Sequence, residues 1–248
     1  MVVSYWQQAK VSNARMTGTF SFVSLVISLL VLSSCQSNDE VSAATAVPEQ
    51  FVELGEFIPG IHLDVRYFGV DNFVGGRIDG YEAAKIYMSR PAAEALANLQ
   101  QQLLAMDLSL KVFDAYRPQR AVNHFIRWAQ DLQDTRMKDR FYPSVDKQNL
   151  FSEGYISERS GHSRGSTIDL TLVHIANGEE LDMGSPWDFF DPVSWPSSNE
   201  VTEQQLENRM LLQSLMVEYG FVSIRTEWWH FYFADEPFPD DYFDFVIR

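Results

Sequence analysis

Cysteine is nearly missing from this chain: 248 residues contain one, Cys35. One cysteine forms no intramolecular disulfide and excludes a cysteine-rich zinc cluster. Any bound metal must therefore be held by imidazole and carboxylate. Histidine is scarce too, with five in the chain, so the choice of ligands is narrow. Positive charge is in deficit: 19 Lys and Arg face 34 Asp and Glu, for a net charge of −15. Such a field repels nucleic acid phosphates and gives no electrostatic grip on anionic lipid. Internal repeats are absent, as is any second linker. The uncharged apolar run from Phe20 to Leu32 is roughly 13 residues, short of the about 20 that a membrane-spanning helix requires.

That run follows Arg15 and ends in small residues, the layout of a secretory signal. Its end, Leu32-Ser33-Ser34-Cys35, resembles the bacterial lipobox, where the signal is cut before a cysteine that then receives lipid. Residues 1–34 are accordingly expected to be a lipoprotein signal and Cys35 the lipidated residue, with Met16 as an alternative start. The competing readings are an ordinary signal with a chance cysteine, or a buried helix. Gln36 follows the cysteine where Asp would favour retention at the inner membrane, so the expected location is the outer membrane, facing the periplasm. Residues 35–50 are polar and small, with Pro48, and read as a flexible tether. Beyond the signal, 17 basic residues remain against 34 acidic ones.

Residues 51–248 read as one domain. The hydrophobic fraction of 46% is enough for a sizeable core. Pro91 can open a helix, and Ala95, Leu96, Leu99, Leu103 and Leu104 recur at helical spacing after it. Leu108 to Ala115 alternates as a strand does. Pro118 opens a second helix, with Val122, Phe125, Ile126 and Ala129 on one face. Thr167 to Val173 is a β-branched run that predicts a strand. Thr202 and Gln205 fit a capping box for a third helix that stops at Gly220. Phe221 to Ile224 and Trp229 to Phe233 predict paired strands around Arg225-Thr226. Helices and strands mix without regular βαβ alternation. The expected class is α+β: a single domain whose mainly antiparallel sheet is flanked by helices, with a metal site in a cleft.

Two histidines keep unusual company. His162 lies in Ser160-Gly161-His162-Ser163-Arg164-Gly165-Ser166-Thr167-Ile168-Asp169, and His230 in Glu227-Trp228-Trp229-His230. Hydrolytic zinc needs three nitrogen or oxygen ligands, an open position for water, and a carboxylate that takes the water's proton. His162, Asp169 and His230 can supply the first set and Glu227 the last. On a strand from Thr167, Asp169 points away from Ile168 and Leu170. Glu227 and His230 are three apart, opposite faces of a regular strand, so Glu227 is expected in a turn or bulge before it. His62 and His174 read as surface or structural residues, and His124, one turn after Arg120, as solvated.

These motifs resemble the D-alanyl-D-alanine dipeptidases. The family pattern Ser-x-His-x-x-Gly-x-Ala-x-Asp matches residues 160–169, with Thr167 in place of Ala, and Glu-x-Trp-His matches 227–230. The likeness extends to Asp71-Asn72-Phe73, Asp79-Gly80-Tyr81, Asp114-Ala115-Tyr116-Arg117-Pro118, and Leu181-Asp182-Met183-Gly184 with Asp188. It implies one zinc ion held by His162, Asp169 and His230, with Glu227 as general base. It also implies that Arg117 steadies the oxyanion, that Tyr67, Ser160 and Asp188 surround the dipeptide's free ends, and that Asp114 orients a ligand or Arg117. Two alternatives stay open: a zinc D,D- or L,D-carboxypeptidase acting on wall stem peptides, and a non-catalytic lipoprotein that binds wall peptide. Oligomeric state is unspecified.

Overall fold

The computed structural model describes residues 46–248. The expected signal, Cys35 and most of the expected tether lie outside the described residues. Val47, near the tether's end, is partly buried against the core.

Seven strands form among the described residues: β1 (Phe51–Glu53), β2 (His62–Leu63), β3 (Tyr87–Ser89), β4 (Leu108–Asp114), β5 (Thr167–His174), β6 (Phe221–Ser223) and β7 (His230–Phe233). Five make one sheet in the order β2-β4-β5-β7-β6, while β1 and β3 pair separately. Only β2–β4 is parallel; every other pairing is antiparallel. The strands predicted from alternation and β-branching thus form where expected. β5 is more deeply placed than its alternation suggested. Thr167, Asp169 and Thr171 are buried along with Ile168, Leu170 and Leu172, because the strand is central and covered on both faces.

Three long helices flank the sheet: α1 (Arg90–Leu104), α2 (Gln119–Gln130) and α3 (Glu203–Glu218). The α3 capping box is complete: Thr202 Oγ1 accepts from Gln205 N–H, and the Gln205 side chain accepts from Thr202 N–H. Gly220 follows with φ +85, a conformation that closes helices at little cost only for glycine. The buried face of α1 is rotated from the predicted one. Ala92, Ala93 and Gln100 are buried while Leu104 is 43% exposed. Gln100 belongs inside because its amide donates to Ser109 Oγ and accepts from Leu110 N–H, tying α1 to β4.

One irregularity positions the chemistry. The β4–β5 register slips between Val112 and Asp114, so Asp114 comes to face Asp169. On its other side Asp169 faces His230 of β7. Three polar residues therefore form one row across three adjacent strands. A bulge beside a site re-aims a side chain in this manner.

Candidate metal centre and active site

His162 enters this row from a 3₁₀ turn, Gly161–Arg164, just ahead of β5. Ser160 caps the turn, its hydroxyl accepting from His162 N–H. Gly165 ends it with φ +84, and a Cβ there would stand 2.2 Å from the Phe51 ring. Only glycine fits both that backbone and that packing. The turn is also tied to the segment that carries Arg117: Arg117 N–H donates to His162 O and Ser163 Oγ donates to Arg117 O. The C-terminal segment seats it from below, Phe243 N–H donating to Ser163 O.

His162 Nδ1 lies 2.7 Å from the Ala115 carbonyl. That contact fixes a proton on Nδ1 and leaves Nε2 with a free lone pair, the arrangement of a ligating imidazole. Nε2 is 3.3 Å from His230 Nδ1 and 3.4 Å from Asp169 Oδ1, and the latter is 3.1 Å from His230 Nδ1. Among the described residues this is the one group of three or more ligand-type side chains whose atoms lie within 4.8 Å of one another. Asp169 Oδ1 is buried without a hydrogen-bond partner. Its other oxygen is occupied, 3.4 Å from Trp187 Nε1 and 3.6 Å from the Arg117 guanidinium. One carboxylate oxygen and two imidazole nitrogens thus lie within 3.1–3.4 Å of one another. That donor set fits a divalent cation.

Glu227 lies in the turn before β7, as expected, with its carboxylate 3.4 Å from His230 Nδ1. Burial raises its pKa to about 7, against the lowering by His230. A cation bound in the cluster would add to that lowering. Burial opposes ionisation of Asp169, but the two imidazoles outweigh it and hold the carboxylate ionised. Burial, with Arg117 nearby, lowers the His162 pKa from its ordinary value.

Arg117 is nearly buried, its Nε donating to Asp114 Oδ2 at 2.9 Å. Tyr67 and Phe125 flank the guanidinium at 5.2 Å each. Asp114 is a hub, since Oδ1 accepts from Tyr81 OH at 2.6 Å and Oδ2 is 3.6 Å from His162 Nδ1. It reaches both a candidate ligand and Arg117. Asp188 accepts from Tyr67 OH at 2.8 Å and has φ +59, a left-handed backbone that Asp adopts more readily than most non-glycine residues. Burial, then the charge of Asp169, drives the Asp188 carboxyl well above the usual range.

All the candidate residues except Asp114 line one cavity of about 170 Å³: Tyr67, Arg117, Ser160, His162, Asp169, Asp188, Glu227 and His230. Asp114 stands behind the wall. His62 and His174 are exposed, as expected. His124 differs: it is partly buried, and its Nδ1 accepts from Asp79 N–H and lies 3.3 Å from the Asp79 carboxylate. Three contributors carry no isolated sequence signal. Trp187 holds Asp169, Tyr81 holds Asp114, and buried Arg209 of α3 donates to the Met183, Val193 and Trp195 carbonyls, clamping the loop that bears Asp188.

A family model described as D-ala-D-ala dipeptidase matches residues 48–248. A D-alanyl-D-alanine dipeptidase of Streptomyces coelicolor is 42% identical over 197 residues, covering 79% of this chain and 98% of the relative. One from Enterococcus faecalis is 41% identical with the same coverage. One from Escherichia coli K12 is 32% identical over 73% of this chain and 83% of the relative.

Proposed function

The chain belongs to the D-ala-D-ala dipeptidase family, and on that premise we propose that it hydrolyses D-alanyl-D-alanine, or a closely related D-amino dipeptide, to free amino acids, with one zinc ion in the His162–Asp169–His230 cluster. The observation that carries this reading is the convergence of Asp169 Oδ1, His162 Nε2 and His230 Nδ1 beside a carboxylate, Glu227, that is free to move a proton. A cation held there supplies Lewis acidity toward water and the scissile carbonyl.

The rest of the reaction falls to the chain's own side chains. Glu227 takes a proton from the attacking water and returns it to the departing amine as the peptide bond breaks. Arg117, fixed by Asp114, faces the negative charge that develops on the carbonyl oxygen. Asp188 and Tyr67 receive the ammonium of the substrate. A small cavity that demands this ammonium favours dipeptides over longer chains.

The N-terminal sequence supports a location in the envelope. A lipid on Cys35 would hold the domain outside the cytoplasm, where it would act on wall-derived dipeptides rather than on precursors before export. Metabolic labelling with a fatty-acid analogue tests this. Label is expected on the wild-type chain and not on Cys35→Ala, and an unlabelled cytosolic protein with an uncut N-terminus would exclude it.

The direct test of the activity is release of D-alanine from D-Ala-D-Ala by the purified protein, alone, with a chelator, and after zinc is restored. Release lost to the chelator and regained with zinc is the expected outcome. Failure to release D-alanine with one equivalent of zinc bound, alongside cleavage of a pentapeptide stem, would replace the dipeptidase with a carboxypeptidase.

A further inference from the structure

The proposed substrate is a zwitterion, and none of the residues assigned to its free ends, Tyr67, Ser160 and Asp188, carries a positive charge to match its carboxylate. The cavity is lined by three acids, Asp169, Asp188 and Glu227, and by two cations, Arg117 and Arg159. Arg117 is already engaged, through Nε with Asp114 and through Nη2 toward Asp169. Arg159 is not. No ion pair joins it to a carboxylate among the described residues, although the chain as a whole carries 34 acids.

Arg159 is nevertheless held in place. Ser157 Oγ donates to its carbonyl at 2.8 Å and accepts from its N–H at 3.4 Å. Its guanidinium rests over the Tyr242 ring at 5.0 Å. Stacking on an aromatic face fixes the plane of the fork and leaves the edge N–H groups free. The residue also stands three positions before His162, in the loop whose Ser160 and Gly161 form the same wall. A guanidinium stacked on an aromatic ring and without a carboxylate partner, on a residue that lines an acidic cavity, matches a carboxylate, which takes two parallel N–H bonds from such a fork.

We propose that Arg159 binds the free carboxylate of the dipeptide and so selects substrates that end one residue beyond the cleaved bond. This inference rests on the dipeptidase reading. It makes Arg159 a specificity residue, opposite in sign to Asp188, and measures substrate length from the carboxyl end.

The test compares kcat and KM for D-Ala-D-Ala and for its C-terminal amide in the purified zinc-loaded protein and two variants. Arg159 is exposed, so its replacement leaves the fold intact. Arg159→Met is expected to raise KM for D-Ala-D-Ala about tenfold with kcat within about threefold, the pattern of lost ground-state binding. It should also erase the wild-type preference for acid over amide, and Arg159→Lys should restore part of both. An Arg159→Met protein with wild-type KM and an intact preference for the acid would overturn the assignment. A wild-type protein that releases no D-alanine from D-Ala-D-Ala would remove the dipeptidase reading itself, and this inference with it.

Discussion

Replacing Arg117 with lysine separates charge from geometry. The guanidinium bridges two buried carboxylates, with Nε on Asp114 at 2.9 Å and Nη2 at 3.6 Å from Asp169, and packs against Tyr67 and Phe125. Lysine keeps the positive charge but places it at one point, without the fork, and cannot serve both acids while facing the oxyanion. Removing one preorganised donor from a developing oxyanion typically costs 10²–10³ in kcat, about 2.7–4 kcal/mol. Arg117→Lys should therefore lower kcat by roughly 10²–10³-fold while KM stays within about threefold, because the contact strengthens only in the transition state. Stability should fall by only about 1–3 kcal/mol, less than the about 3–5 kcal/mol of an uncompensated buried charge. Initial rates of D-alanine release, zinc content and urea unfolding of the variant together decide the matter. A zinc-replete Arg117→Lys protein with kcat within threefold of wild type would refute the role given to the fork.

Glu227→Gln should retain one equivalent of zinc yet lose about 10²–10⁴-fold in kcat, since the amide cannot accept the proton; metal analysis beside turnover checks both halves. Gly165→Ala forces a left-handed backbone on a residue with a Cβ, costing roughly 1–2 kcal/mol, and drives that Cβ into the Phe51 ring, costing roughly 1–3 kcal/mol more; a denaturation midpoint equal to wild type would contradict the packing described. Asp64 is partly buried, which alone would raise its pKa, but Arg66 and Lys111 more than offset this and lower it from 3.8. Its stabilisation is therefore present above the unfolded value and lost as pH falls through the lower folded one. Asp64→Asn should cost about 0.5–1 kcal/mol at neutral pH, and the difference from wild type should disappear in acid.

Much of this site could be read from the chain because its polar residues break local rules. A histidine and an aspartate bracketing a glycine turn, and a glutamate and a histidine flanking two tryptophans, stand out against apolar neighbours. The strand pairings around them follow from β-branched runs. What the sequence hid is the lateral arrangement. Nothing in the one-dimensional pattern says that β4 slips by a residue at Phe113 and brings Asp114 opposite Asp169. Nor does it reveal that Arg209, in a helix with little amphipathic pattern, is buried to hold three carbonyls of a distant loop. Such contacts depend on which elements meet, not on the residue's own neighbours. The rotated face of α1 has the same origin: Gln100 is drawn inward by Ser109 and Leu110, partners that exist only once β4 is in place.

Phe51 links the entrance of the domain to its chemistry in a mechanical sense. Its ring fills the space over Gly165 and contacts Tyr116, Phe243 and Phe245. The strand paired with it, β3, donates from Ser89 N–H to the Gly165 carbonyl at 2.7 Å. Force applied along the chain before residue 51 would thus enter through a three-residue strand and reach the His162 turn before it reached the central sheet.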